Sequence, residues 1–196
     1  MEITIKRLAP ELADDFFDFF DHRAFTDGSP EGPCYCTRYQ MTGEQEAAEL
    51  WIYGEDGFMR ALKECAARQI ASGTLQGYLA YADGMAIGWC NANDRANFPE
   101  VSANGAQLHA PREAKVKVVV CFEIAPEYRD KGVATALLRQ VVSDAQADGY
   151  AAVEGFPRKR TERYEWDFTG PIRLYEKVGF VKGSEDEHTV IMRKEL

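Results

Sequence analysis

The stretch Phe122-Glu123-Ile124-Ala125-Pro126-Glu127-Tyr128-Arg129-Asp130-Lys131-Gly132-Val133-Ala134-Thr135 decides how this chain reads. It begins at the end of residues 116–124, a nearly continuous apolar run of the kind that forms a central strand buried on both faces. Pro126 ends that run. From 130 to 148 the pattern turns helical, with Val133, Leu137, Val141 and Ala145 recurring every four residues until Gly149 stops the helix. The quoted stretch is therefore a buried strand, a short turn and a helix that opens at a glycine. The first turn of a helix leaves several N–H groups without backbone partners, and the helix dipole adds partial positive charge there. Such a turn is a ready anion site. Gly132 lets a phosphate approach the backbone, Ala134 keeps the next position small, and Arg129 and Lys131 add cationic charge. The Walker pattern Gly-x-x-x-x-Gly-Lys-[Ser/Thr] and the dinucleotide pattern Gly-x-Gly-x-x-Gly are both absent.

Working outward, residues 2–8 alternate like a strand and Pro10 opens a helix that carries Leu12, Phe16, Phe19 and Phe20 on one face. Glycines and prolines punctuate 26–43, which reads as a loop. A second helix covers roughly 55–72. Residues 75–82 and 85–91 form a hairpin around Asp83-Gly84, a strong two-residue turn signal. Residues 92–114 are irregular and polar. Residues 150–156 are a strand, 171–178 a short helix, and 179–183 and 188–193 two short strands. The order is β-α-α-β-β-β-α-β-α-β-β, a mixed α/β chain with a strand–helix–strand unit at its centre.

The 196 residues suit a single domain over 1–196. With 23 Lys+Arg against 32 Asp+Glu the net charge is −9. That excludes a duplex-DNA binder, which needs a basic footprint, and a polybasic membrane-surface protein. No run of about 18 apolar residues predicts a membrane span, and residues 1–8 lack the apolar core of a signal peptide. The five cysteines, at 34, 36, 65, 90 and 121, are odd in number, and three sit in apolar regular segments. Reduced thiols in a cytoplasmic protein are expected. Cys34 and Cys36 share a face of an extended chain, but no Cys or His pair with ligand spacing accompanies them, so no metal is expected.

The segment Arg129-Asp130-Lys131-Gly132-Val133-Ala134 resembles the [Gln/Arg]-x-x-Gly-x-[Gly/Ala] signature of the GNAT superfamily of acyl-CoA-dependent N-acetyltransferases. Leu174-Tyr175-Glu176-Lys177-Val178-Gly179-Phe180 is similar to a second element of that family, and the order of elements matches across essentially the whole chain. The resemblance implies one domain with a central mixed, mostly antiparallel twisted sheet flanked by helices. It also implies acetyl-CoA as co-substrate, with Phe122, Ile124, Arg129, Asp130, Lys131, Gly132, Val133, Ala134 and Thr135 at the cofactor. Transfer to a primary amine of a small molecule follows. A protein N-terminus or lysine as acceptor, or a non-catalytic acyl-CoA sensor, are the other readings. Homodimers are common in the family.

In the reaction so implied, the N–H of Ile124 stabilises the developing negative charge on the carbonyl oxygen. Tyr175 protonates the leaving thiolate, because a phenol keeps its proton at neutral pH. The amine must lose a proton. Glu123, a carboxylate at the end of an apolar strand, is one candidate base, and Glu154, near the end of the next strand, is its competitor. A carboxylate tied to a neighbouring Arg or Lys is the alternative for both. Strand alternation groups Glu123 with Cys121 and Val119, and Phe122 with Val120. Trp89 and Asn91, near the end of the hairpin's second strand, are candidates to line the acceptor pocket. Four basic residues and several aromatics in 157–170 read as a surface loop, as a flap over the acceptor site or as a contact to a CoA phosphate. An asparagine that many family members carry there is lacking.

Overall fold

The computed structural model describes residues 1–30, 32–99, 115–162 and 164–196. Seven strands, β1 (Thr4–Arg7), β2 (Gly77–Ala82), β3 (Met85–Asp94), β4 (Val116–Ile124), β5 (Ala152–Gly155), β6 (Val181–Glu185) and β7 (Val190–Glu195), form one sheet in the order β1-β2-β3-β4-β5-β7-β6. Only β4 and β5 run parallel; every other neighbouring pair is antiparallel. Parallel neighbours need a crossover connection. Here it is the helix that follows the turn at 126–132. The β2–β3 hairpin closes on Ala82↔Met85, around Asp83-Gly84 as expected.

The helices among the described residues are α1 (Ala13–His22), α2 (Gly43–Glu49), α3 (Gly54–Ser72), α4 (Val133–Ala147) and α5 (Ile172–Lys177). The short α2 is an addition to the sequence reading. It starts at a reciprocal cap: the Gln45 N–H donates to Thr42 Oγ1 at 3.2 Å and the Thr42 N–H donates to Gln45 Oε1 at 2.8 Å. Thr42-x-x-Gln45 is the sequence signature of that cap.

Helices cover both faces of the sheet. On one face α1 places Phe16, Phe19 and Phe20, and α3 places Leu62 and Cys65, in one cluster with Trp89, Val118 and Val120. On the other, Leu137, Leu138 and Val141 of α4 and Leu174 and Tyr175 of α5 cluster with Tyr78, Cys90, Val119 and Phe122. Burial on both sides explains the nearly continuous apolar sequence of β4, since each large apolar side chain buried there contributes about 1.5–3 kcal/mol.

One feature of β4 corrects the expected alternation. Asn91 lies opposite Cys121 but Ala92 lies opposite Val119, so Val120 is an extra residue in the ladder. A bulge of this kind inverts the alternation beyond it. Val119 therefore shares the α4 face with Phe122, whereas Val120 and Cys121 both belong to the α1 face. Glu123, opposite Trp89, follows Cys121 onto that α1 side.

Candidate active site

The β4–β5 pairing ends at Val119↔Gly155, while β4 runs on to Ile124. A cleft of about 730 Å³ opens at this gap. Phe122, Glu123 and Ile124 of β4 line it, with Arg129, Asp130, Gly132, Val133, Ala134 and Thr135 of the turn and first helical residues. Arg158, Arg160, Trp166, Phe168, Arg173 and Lys177 are among the residues that close the other side.

Backbone conformation makes the turn an anion site. Pro126–Tyr128 is one short 3-10 turn, after which Asp130 (φ 58°) and Gly132 (φ 87°) adopt left-handed conformations. A residue with a Cβ at Gly132 would lose roughly 1–2 kcal/mol. The first backbone bond of α4 runs from the Ala136 N–H to the Gly132 carbonyl. The amides of Val133, Ala134 and Thr135 thus precede the helical ladder and face the cleft end of the dipole.

The cationic side chains are arranged differently from the sequence expectation. The Arg129 guanidinium turns back toward β4. Its Nε donates to the Ile124 carbonyl at 3.2 Å, its Nη1 donates to Asp27 at 2.5 Å, and its Nη2 lies 3.8 Å from Glu123. Asp27 also accepts from the Trp166 indole N–H at 2.9 Å. Burial opposes ionisation of Asp27, but the bonds from Arg129 and Trp166 outweigh it and hold its carboxyl below the ordinary range. Lys131 is outside the cleft lining, its ammonium over the Tyr128 ring at 5.4 Å. Arg158, Arg160, Arg173 and Lys177 supply positive charge along the cleft instead. The sequence reading missed Arg173 and Lys177, although Lys177 stands inside the second motif.

Tyr175 is fully buried behind Phe122, the two rings meeting edge-on at 6.3 Å. Its hydroxyl donates to the Thr169 carbonyl at 2.8 Å. Burial pushes the phenol well above its ordinary range, so it stays protonated. The ring lies against β5 because residue 155 is glycine: a Cβ there would sit 2.2 Å from the Tyr175 ring.

Like Tyr175 and Lys131, three other candidates lie outside the cleft lining. Glu154 is buried between Arg95 and Arg193, with Arg193 at 2.5 Å on one carboxylate oxygen and Arg95 on the other. This is the tied carboxylate that the sequence left as its alternative role. Trp89 is core, edge-on to Phe16 at 5.0 Å. Asn91 is buried and donates to the Cys36 carbonyl at 3.0 Å, anchoring the loop before α2 to β3. Both face α1 and that loop, which bury them. The cysteines are all free thiols, and burial pushes Cys36 well up. Among the described residues no group of three or more His, Cys, Asp or Glu is placed to hold a metal. No helix among them is long and apolar enough to cross a membrane. Of the long 92–114 connection, 100–114 lie outside the described residues.

The end of β4 past β5, the anion-binding turn and the cleft between them form one site. The family described as Acetyltransferase (GNAT) domain matches residues 74–182. The chain belongs to this family of acetyltransferases. No curated protein matches it by sequence. Among solved structures it is similar to the PaiA N-acetyltransferase of Thermoplasma acidophilum in complex with coenzyme A, with TM-score 0.56, 16% identity and 100% of both chains covered. It is also similar to the polyamine N-acetyltransferase of Drosophila melanogaster, which forms N-acetylagmatine (TM-score 0.55, 16% identity, 100% of both chains). A third is YncA of Salmonella typhimurium with acetyl-CoA, with TM-score 0.54 and 13% identity over 99% of this chain and 94% of that one. At these identities the likeness concerns the fold.

Proposed function

We propose that the chain, acting as one unit over 1–196 in the cytoplasm, transfers the acetyl group of acetyl-CoA to a primary amine of a small molecule, by direct attack in a ternary complex. The observation that carries this is the shared wall of the cleft. The anion-binding turn at Gly132–Thr135 and Glu123 both line it, together with the end of β4 that runs past β5.

The residues fit the co-substrate. The amides of Val133, Ala134 and Thr135 would hold its pyrophosphate, with Arg173 and Lys177 as the nearby cations. Acetyl-CoA would supply the activated acetyl thioester. Glu123 accepts the proton that an incoming ammonium must lose. The Ile124 N–H would stabilise the oxygen on which charge develops. Tyr175, kept protonated by burial, is the proton donor toward the leaving sulfur. The acidic balance of the chain, −9, favours a cationic acceptor. The likeness to a polyamine enzyme supports the same class.

Acetyl-CoA consumption against a panel of amines and peptides tests this. Turnover is expected with a small cationic amine, and Glu123→Gln should lower kcat by about 10²–10⁴-fold. Absence of any thermal shift with CoA would overturn the reading.

A further inference from the structure

We propose that residues 164–170 are a strap that plugs the acyl-carrying groove in the free protein, and that acyl-CoA must displace it to bind, releasing Tyr175 in the same movement. This rests on the acetyl-CoA reading above.

β4 outruns β5, so its last residues expose an edge that no strand among the described residues completes. Buried backbone N–H groups need partners. The Phe122 N–H finds one in the strap: it donates to the Phe168 carbonyl at 2.6 Å. Strand alternation sends the Ile124 N–H to the same edge. The next strap carbonyl, Thr169, takes the Tyr175 hydroxyl. Two consecutive peptide carbonyls thus occupy the Phe122 edge amide that the arm of CoA would take and the phenol that the reaction would use. The arm of CoA is itself an amide chain. It can offer the Phe122 N–H the same kind of carbonyl, so the exchange of strap for arm nearly balances in hydrogen bonds.

Besides the two bonds above and the packing of Phe168 against the α1-face core, the strap is fastened by exposed or half-buried contacts, which are weak enough to open. Trp166 donates to Asp27 at 2.9 Å, Asp167 lies 3.6 Å from Arg160, and the Arg158 guanidinium sits 5.1 Å from the Phe168 ring centre. Inside the strap, the Thr169 hydroxyl donates to Asp167 at 2.7 Å and the Gly170 N–H to the Asp167 carbonyl at 3.1 Å. These two bonds close a turn within the strap. Trp166 and Asp27 join it to the 24–30 loop and, through Arg129, to the phosphate turn.

Amide hydrogen exchange on the full chain, with and without saturating CoA, tests the proposal, alongside calorimetric titration of CoA. With CoA bound, exchange at Phe168, Thr169 and Gly170 is expected to rise at least about tenfold while the Phe122 amide stays protected. If calorimetry shows binding and the strap amides are unchanged, the strap is a fixed wall and the proposal falls alone. If CoA does not bind, the acetyl-CoA reading falls and the strap with it. A second variant, Trp166→Phe, keeps the ring beside Tyr164 but removes the bond to Asp27. It should tighten CoA binding about fivefold, the equivalent of one net hydrogen bond. Unchanged or weaker binding would overturn the latch.

Discussion

Arg129 and Asp27, 102 residues apart in the chain, are joined by a 2.5 Å charge-assisted hydrogen bond at the mouth of the cleft. The bond ties the loop after α1 to the turn that precedes α4. Folding lowers the carboxyl pKa of Asp27 below its unfolded value of about 3.9. Its contribution is therefore fully present above that value and is lost as pH falls through the folded one. Asp27→Asn should cost about 1–2 kcal/mol at neutral pH. Urea unfolding of both proteins at pH 7 and pH 3 checks this: the gap should shrink at the lower pH.

Glu154 makes a different prediction from Glu123, although both are carboxylates on neighbouring strands. Removing it leaves Arg95 and Arg193 facing each other in a buried site. Glu154→Ala is expected to destabilise the fold by about 3–5 kcal/mol. Turnover per folded molecule, measured in mild conditions where the variant stays folded, should change little. A hundredfold loss of kcat without loss of stability would instead make Glu154 the base.

At Gly132 the constraint is the left-handed backbone. Gly132→Ala should lose roughly 1–2 kcal/mol of stability. It should also raise the calorimetric dissociation constant for CoA, because the strained turn re-aims the first amides of α4.

Gly155 tests the seat of Tyr175 independently of its hydroxyl. An added methyl would fall 2.2 Å from the ring, so α5 or the ring must shift. Gly155→Ala should cost about 1–3 kcal/mol, as overpacking does. It should lower kcat with little change in CoA affinity. Tyr175→Phe, which keeps the packing and loses the proton, should reproduce the kcat effect with only the loss of its bond to Thr169, about 0.5–1.5 kcal/mol of stability.

The parts of the molecule legible in the sequence are those governed by local rules. The strand–turn–helix at 116–148 announces itself by its apolar run, Pro126 and Gly132, and the β2–β3 hairpin by Asp83-Gly84. Local rules do not say what covers a strand. Trp89 and Asn91 sit where a pocket could have been, but α1 and the loop around Cys36 close over them from far away in the chain. The side on which Glu123 emerges hangs on the bulge at Val120, which leaves no mark in the hydrophobic pattern because the residues around it are apolar too. The inward turn of Arg129 is likewise set by Asp27, a residue that nothing in the motif points to.

The sheet ends on β1 and β6, and each of these border strands exposes backbone groups that could recruit another chain. Lys6 and Arg7 stand on one border and Lys182 and Glu185 on the other. Charged side chains at such positions oppose the strand-to-strand accretion that leads to aggregates. Concentrated solutions of the folded protein are therefore guarded at both ends of the sheet, and replacing Lys182 by an apolar residue would remove one of these guards beside the exposed Val181.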